Sequence, residues 1–126
     1  MKYVGKISRW MYRSIAENIT TDEVIITDER IAHSNLHNHA FDKYEEYVPE
    51  VLSDPDFAYR DRNPNTAVLV KRIQTGGNSL QLVLRLHVQG DPIGFKNSIL
   101  SFWDISESRR RNYERNKEII YRRSEV

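Results

Sequence analysis

A chain of 126 residues lies close to the commonest domain size, and halving it would leave neither part a sufficient core, so one domain over 1–126 is expected. With 39% hydrophobic and 29% charged residues the composition is that of a globular protein; no apolar run approaches the roughly 20 residues of a membrane span, and the lack of cysteine excludes disulfides and thiolate metal sites. The formal net charge of +1 removes whole-protein electrostatics as an argument for nucleic acid, so that case must rest on local charge.

Met1-Lys2-Tyr3-Val4-Gly5-Lys6 lacks the continuous apolar segment of a secretory signal, and a cytoplasmic location is expected. Residues 8–18 place Trp10 or Met11 with Ser14 and Ile15 at helical spacing behind a capping serine, which predicts a short first helix. Val24-Ile25-Ile26-Thr27 is β-branched but short, and Asp28-Glu29 after it opens a second helix that carries His33. From Ala40, Phe41, Tyr44, Tyr47/Val48 and Val51/Leu52 recur at three- and four-residue intervals, a third helix ending at Ser53-Asp54-Pro55.

After Pro55 the period changes to alternation. Phe57–Arg60 reads as an edge strand, Asn63-Pro64-Asn65 as a turn, Thr66–Ile73 as a strand and Thr75-Gly76-Gly77-Asn78 as a hairpin turn. Ser79–Val88 alternates, Leu80, Leu82, Leu84, Leu86 and Val88 on one face, Gln81, Val83, Arg85 and His87 on the other. Lys96–Ile105 makes another strand, 106–118 a charged helix and Ile119-Ile120-Tyr121 a closing strand. The expected fold is therefore α+β, N-terminal helices packed on a C-terminal antiparallel sheet of about four strands.

Charge is uneven along this layout: residues 41–62 hold seven acids and three bases, residues 107–126 seven bases and four acids. Each run can be the solvated face of a helix. Two groups of residues can carry chemistry. On the polar side of the sheet, Arg85 and His87 can be joined by Lys71 and by Ser98 or Ser101; these serines have opposite parity, so both reach that face only through a bulge. Within the cluster Ala32 through His39, the seven residues from His33 hold three of the four histidines. His33 and His37 are spaced to share a helical face as metal ligands do, yet no third ligand stands at a diagnostic interval, and an acid/base or a capping role competes.

In chain order stand Val4-Gly5-Lys6-Ile7-Ser8, His33 through Asn38, Asp54-Pro55-Asp56-Phe57, Val70-Lys71-Arg72-Ile73, Leu84-Arg85-Leu86 and Lys96-Asn97-Ser98-Ile99-Leu100-Ser101. From about Val4 to Tyr121 this ordered set resembles the phage-associated branch of the barnase, EndoU, colicin-nuclease and RelE-like (BECR) group. The resemblance implies a small, toxin-like, metal-independent endoribonuclease needing no cofactor, with RNA as ligand and an immunity or antitoxin protein as partner. It assigns catalysis to His33, Lys71, Arg85 and Ser101. The family's second histidine, however, falls at Asn38.

Such chemistry needs few groups: RNA brings its own 2′-hydroxyl nucleophile, an imidazole moves protons, cations hold the charged phosphorane, and the product is a cyclic phosphate. Substrate contacts are then expected from Ser98, His37, Trp103 and Tyr121, the aromatic ones by stacking a base; plain packing is the alternative for Trp103. A non-catalytic interaction module keeping a phosphate-binding face is the rival reading, and a metal-dependent hydrolase on His33, His37 and His39 a third.

Overall fold

The computed structural model describes residues 1–73 and 77–124. Its strands are β1 (Lys2–Lys6), β2 (Glu23–Ile26), β3 (Phe57–Arg60), β4 (Thr66–Arg72), β5 (Ser79–Arg85), β6 (Asn97–Ile105) and β7 (Ile119–Arg122). They form one seven-stranded sheet in the order β1-β2-β6-β5-β4-β3-β7, antiparallel except where β2 runs parallel to β6. Helices α1 (Asp28–Asn35), α2 (Ala40–Tyr44) and α3 (Val48–Ser53) lie between β2 and β3, and α4 (Glu107–Asn116) between β6 and β7.

The expected division into N-terminal helices and a C-terminal antiparallel sheet of about four strands is overturned, because two strands precede the helices and complete a larger, mixed sheet. β1 carries lysines at both ends and a glycine, so no alternation marks it in the sequence; β2 is short, yet Val24 and Ile26 are fully buried. The first expected helix shrinks to a 3₁₀ turn, Arg9–Tyr12. Ser8 makes no side-chain cap, and only Met11 and Tyr12 are buried there. The third breaks into α2, a 3₁₀ turn over Glu45–Tyr47, and α3, where Pro49 can begin a helix but not continue one. β3 is not an edge, since β7 pairs along its other side. β5 stops at Arg85, short of the expected Val88. The strands flanking the expected hairpin do pair, Arg72 opposite Ser79; of its turn, residues 75 and 76 lie outside the described residues.

Residues paired across strands point to the same side, so the register sorts the side chains onto two faces. On the first, Leu80, Leu82 and Leu84 of β5 join Leu69 of β4 and Ile99 and Phe102 of β6 beneath Phe41, Val51 and Leu52 of the α2–α3 segment. On the second, Phe57, Tyr59, Val68 and Val70 form a smaller cluster closed by Tyr113 of α4. There the Arg110 guanidinium lies 5.8 Å from the Phe57 ring centre and is held by Glu107 at 2.6 Å. Helix α4 covers β3 and β4 but leaves the β1-β2-β6 side of this face open.

Helix α1, capped by the Thr27 hydroxyl accepting from the Arg30 N–H, runs beside the part of β6 that outlasts its short partner β2. Arg30 donates to the Leu100 carbonyl at 3.3 Å and the Ser34 hydroxyl donates to that of Phe102. Side chains thereby occupy edge acceptors that would otherwise invite another strand.

Among the described residues the buried hydroxyls of Tyr12, Tyr59 and Ser79 have no hydrogen-bond partner. Tyr12 is fully buried, its hydroxyl has no hydrogen-bond partner among the described residues, and burial, then the neighbouring Tyr121, pushes its ionisation far above the usual phenol range. Removing a desolvated, unpaired hydroxyl relieves a cost, so Tyr12→Phe should leave stability unchanged or raise it by about 1 kcal/mol in thermal or urea denaturation. A loss of that size would mean the hydroxyl has a partner. Among the described residues no helix is long and apolar enough to cross a membrane.

Candidate functional site

The register separates the two cations of the expected site. Lys71 pairs with Leu80 and so lies on the first face, whereas Arg85 pairs with Thr66 and Ser98 and lies on the second. Lys71 is 8% exposed, and its ammonium donates to the Asp54 carbonyl at 2.7 Å with the carboxylates of Asp54 at 3.3 Å and Glu50 at 3.6 Å. It is a structural counterion in a cleft shared with Tyr47, Asp56 and Arg72. Strand parity explains the split: 71 and 85 fall on opposite faces of a hairpin whose register pairs 72 with 79.

His33 lies elsewhere again. It is exposed on α1 and touches Trp103, ring centres 6.0 Å apart, and Trp103 pairs with Gln81, four register steps along β5 from Arg85. At about 3.3 Å per step this is roughly 13 Å. Arg85 itself is engaged locally, donating to the Leu86 carbonyl and to Asp91 at 3.3 Å. The Asp91 carboxyl is held below the usual carboxylate range, first by the Val88 N–H and then by Arg85. The expected joint pocket of His33, Lys71 and Arg85 is therefore not formed. Tyr121 is on β7, four strands from β6, where it meets Trp10 edge-on at 5.9 Å. His87 does not face outward either. It is 9% exposed, with its ring nitrogens at 2.5 Å from the Thr20 hydroxyl and 2.8 Å from the Pro92 carbonyl.

What the fold does assemble is a polar and aromatic surface on the open half of the second face. Leu100 has no partner in the β5–β6 register, which passes from Leu84–Ile99 to Val83–Ser101. This bulge puts Ser98 and Ser101 on one face, beside Arg85 and Val83. Across β2, Ser98 pairs with Ile25 and Ile25 with Tyr3, so a single row runs Tyr3, Ile25, Ser98, Arg85. Tyr3 is 51% exposed. At the other end of β6, Trp103 carries His37 stacked on it, centres 3.9 Å apart and planes 21° apart, with His33 against both rings.

A chain of hydrogen bonds links this surface to α4. The Tyr113 hydroxyl donates to the Gln81 side-chain oxygen at 2.9 Å, and the Gln81 amide donates to the Ser101 hydroxyl at 3.1 Å. Outside Tyr113, α4 bounds a cleft of about 500 Å³ with Arg109, Asn112 and Arg115, and neither arginine has an acidic partner among the described residues.

The segment after α1 is strained. Asn38 and His39 both adopt left-handed backbone, φ 55° and 57°, at a cost on the order of 1 kcal/mol each. Asn35 holds the conformation by bonding both the backbone and the carboxylate of Asp42. The strain turns the chain immediately after the imidazole stacked on Trp103. Among the described residues no group of three histidine, aspartate or glutamate side chains is arranged to hold a metal ion.

Tyr3, Gln81, Tyr113 and Arg109 are additions to the residues singled out in the sequence. Gln81 was legible as a polar residue in an alternating strand, but Tyr3 was not, since nothing in Met1–Lys6 announces a strand. No protein-family model, curated protein or solved structure matches this chain.

Proposed function

We propose that this domain is a non-catalytic binding module that receives single-stranded RNA on the open half of its sheet. One observation supports the reading above others: Tyr3, Ser98, Ser101, Trp103 and Arg85 share one accessible face, while the groups that cleavage requires are dispersed to three places. Aromatic rings at either end of a polar sheet surface stack successive bases irrespective of sequence, and backbone phosphates pass to flanking arginines. Tyr3 and Trp103 are about 10 Å apart across the strands and about 13 Å along them, a span that more than one base must bridge. The resemblance to phage-associated nuclease-like domains favours the same ligand class, and a cytoplasmic location in a bacterial or phage-infected cell is where that ligand occurs.

Charge contributes less than stacking. Arg85 is partly offset by Asp91, leaving Arg109 and Arg115 of the α4 cleft as cations open to phosphate. Two or three phosphate contacts give a slope of roughly −1.5 to −2 in log affinity against log salt for a single strand. Fluorescence anisotropy with a labelled octamer should show that shallow slope, and the RNA should be recovered intact after incubation in EDTA. A slope steeper than about −5 would mean a basic groove rather than a stacking face, and cyclic-phosphate ends in EDTA would restore the nuclease reading.

A further inference from the structure

We infer that this chain associates with a second copy of itself through the loop between β5 and β6, the apolar tip of each copy seated in the groove beside the other's tip. Among the described residues Ile93 is the most exposed large apolar side chain, at 100%, and Phe95, two residues on, is 64% exposed. The loop holds them outward. Gly90 and Gly94 take left-handed backbone, φ 100° and 92°, which residues with side chains rarely adopt. Between them the Asp91 carboxylate accepts from the Val88 N–H at 2.9 Å and from Arg85 at 3.3 Å, and a ring nitrogen of the buried His87 lies 2.8 Å from the Pro92 carbonyl. A tip braced in this way loses little conformational freedom when it is covered, so the gain from taking apolar surface out of water is kept for association.

Two observations point to a second copy as the cover. The tip borders its own receptor: Ile93 and Phe95 line a groove of about 390 Å³ together with Thr20, Thr21, Val88 and Gln89. A two-fold axis brings a patch against itself, and therefore needs a projection and a hollow side by side on one surface. Such an axis also sets each charge near its own image, so a patch with a spare charge repels itself. Besides His87, whose ring nitrogens are both engaged, the ionisable residues lining the groove are Asp91 and Lys96. Each is paired within its own chain, Asp91 with Arg85 at 3.3 Å and Lys96 with Glu23 at 2.8 Å. No cation of the groove is then spare for an anionic bilayer.

Sedimentation equilibrium of the full chain should show monomer and dimer exchanging with a dissociation constant on the order of 10–100 μM, the weak range of a small interface. Ile93→Asp sets a charge against the facing copy and should raise that constant more than about tenfold. Its melting temperature should stay that of wild type, because the side chain it replaces is fully exposed. The chain has no cysteine, so Ile93→Cys and Gln89→Cys chains mixed in air report the seating directly. The mixed disulfide should form several-fold faster than either homodisulfide. Monomer at every concentration, dimerisation of Ile93→Asp as strong as wild type, or homodisulfides that outpace the mixed one would each overturn the inference. Binding of wild-type monomer to phosphatidylcholine vesicles, lost in Ile93→Asp, would overturn it in favour of a bilayer.

Discussion

Trp103→Ala should cost the protein about 10- to 150-fold in affinity for a single-stranded RNA octamer, the largest functional effect expected of any single substitution. Base-aromatic stacking contributes about 1–3 kcal/mol per base, and the indole supports more than its own contact. His37 lies flat on it at 3.9 Å, and His33 meets both rings, so removing the indole collapses a three-ring platform. Tyr3→Ala should cost less, roughly fivefold, because that ring is 51% exposed and has no aromatic neighbour among the described residues. The rings are far enough apart that the double variant should show the product of the two losses. A melting temperature within a few degrees of wild type separates lost contact from lost fold. Full binding by the double variant would remove the sheet face from consideration, and the cleft beside Arg109 and Arg115 would then be the place to look.

Much of this site was legible in the sequence, but only where strand parity was the governing fact. The leucine face of β5 is core and Arg85 points away from it, as the alternation over 79–88 requires. The opposite parity of Ser98 and Ser101 called for a bulge, and the chain supplies one at Leu100. Lys71 escaped because parity within a strand does not say which face of the neighbouring strand it matches; that depends on where the hairpin register settles. Tyr3 and Ile25 escaped because β2 is a strand by virtue of the β6 edge it joins, and β1 by virtue of β2, rather than by their own pattern. His87 looked outward by alternation, yet β5 ends at Arg85, after which the chain turns it toward Thr20 and the Pro92 carbonyl. The histidine cluster was visible as composition, whereas its pairing with Trp103 depends on α1 lying along an exposed strand edge.

The same join between β2 and β6 makes Asn97→Ala the most damaging polar substitution expected, lowering stability by about 3 kcal/mol, against a total on the order of 5–15 kcal/mol. Asn97 is fully buried and uses its whole amide: the N–H₂ donates to the carbonyls of Thr21 at 2.8 Å and Glu23 at 3.0 Å, and the oxygen accepts from the His87 N–H at 2.8 Å. Alanine strands the buried His87 N–H and takes from the Thr21 and Glu23 carbonyls the donor they share. The damage should be uneven. Parallel pairing of β2 with β6 comprises only Val24–Asn97 and Ile25–Ser98, so amide hydrogen exchange should quicken first in β1, β2 and residues 86–88, with β3, β4 and β7 following only on global unfolding. Because β1 carries Tyr3, RNA affinity should fall toward that of Tyr3→Ala even well below the melting temperature. Asn97→Asp tells whether donation or acceptance matters more: it keeps an acceptor for His87 but sets a carboxylate against two carbonyl oxygens, so it should be at least as destabilising as alanine. Near-normal stability of the aspartate variant would mean that the bond to His87, and not the grip on β2, holds this corner of the sheet together.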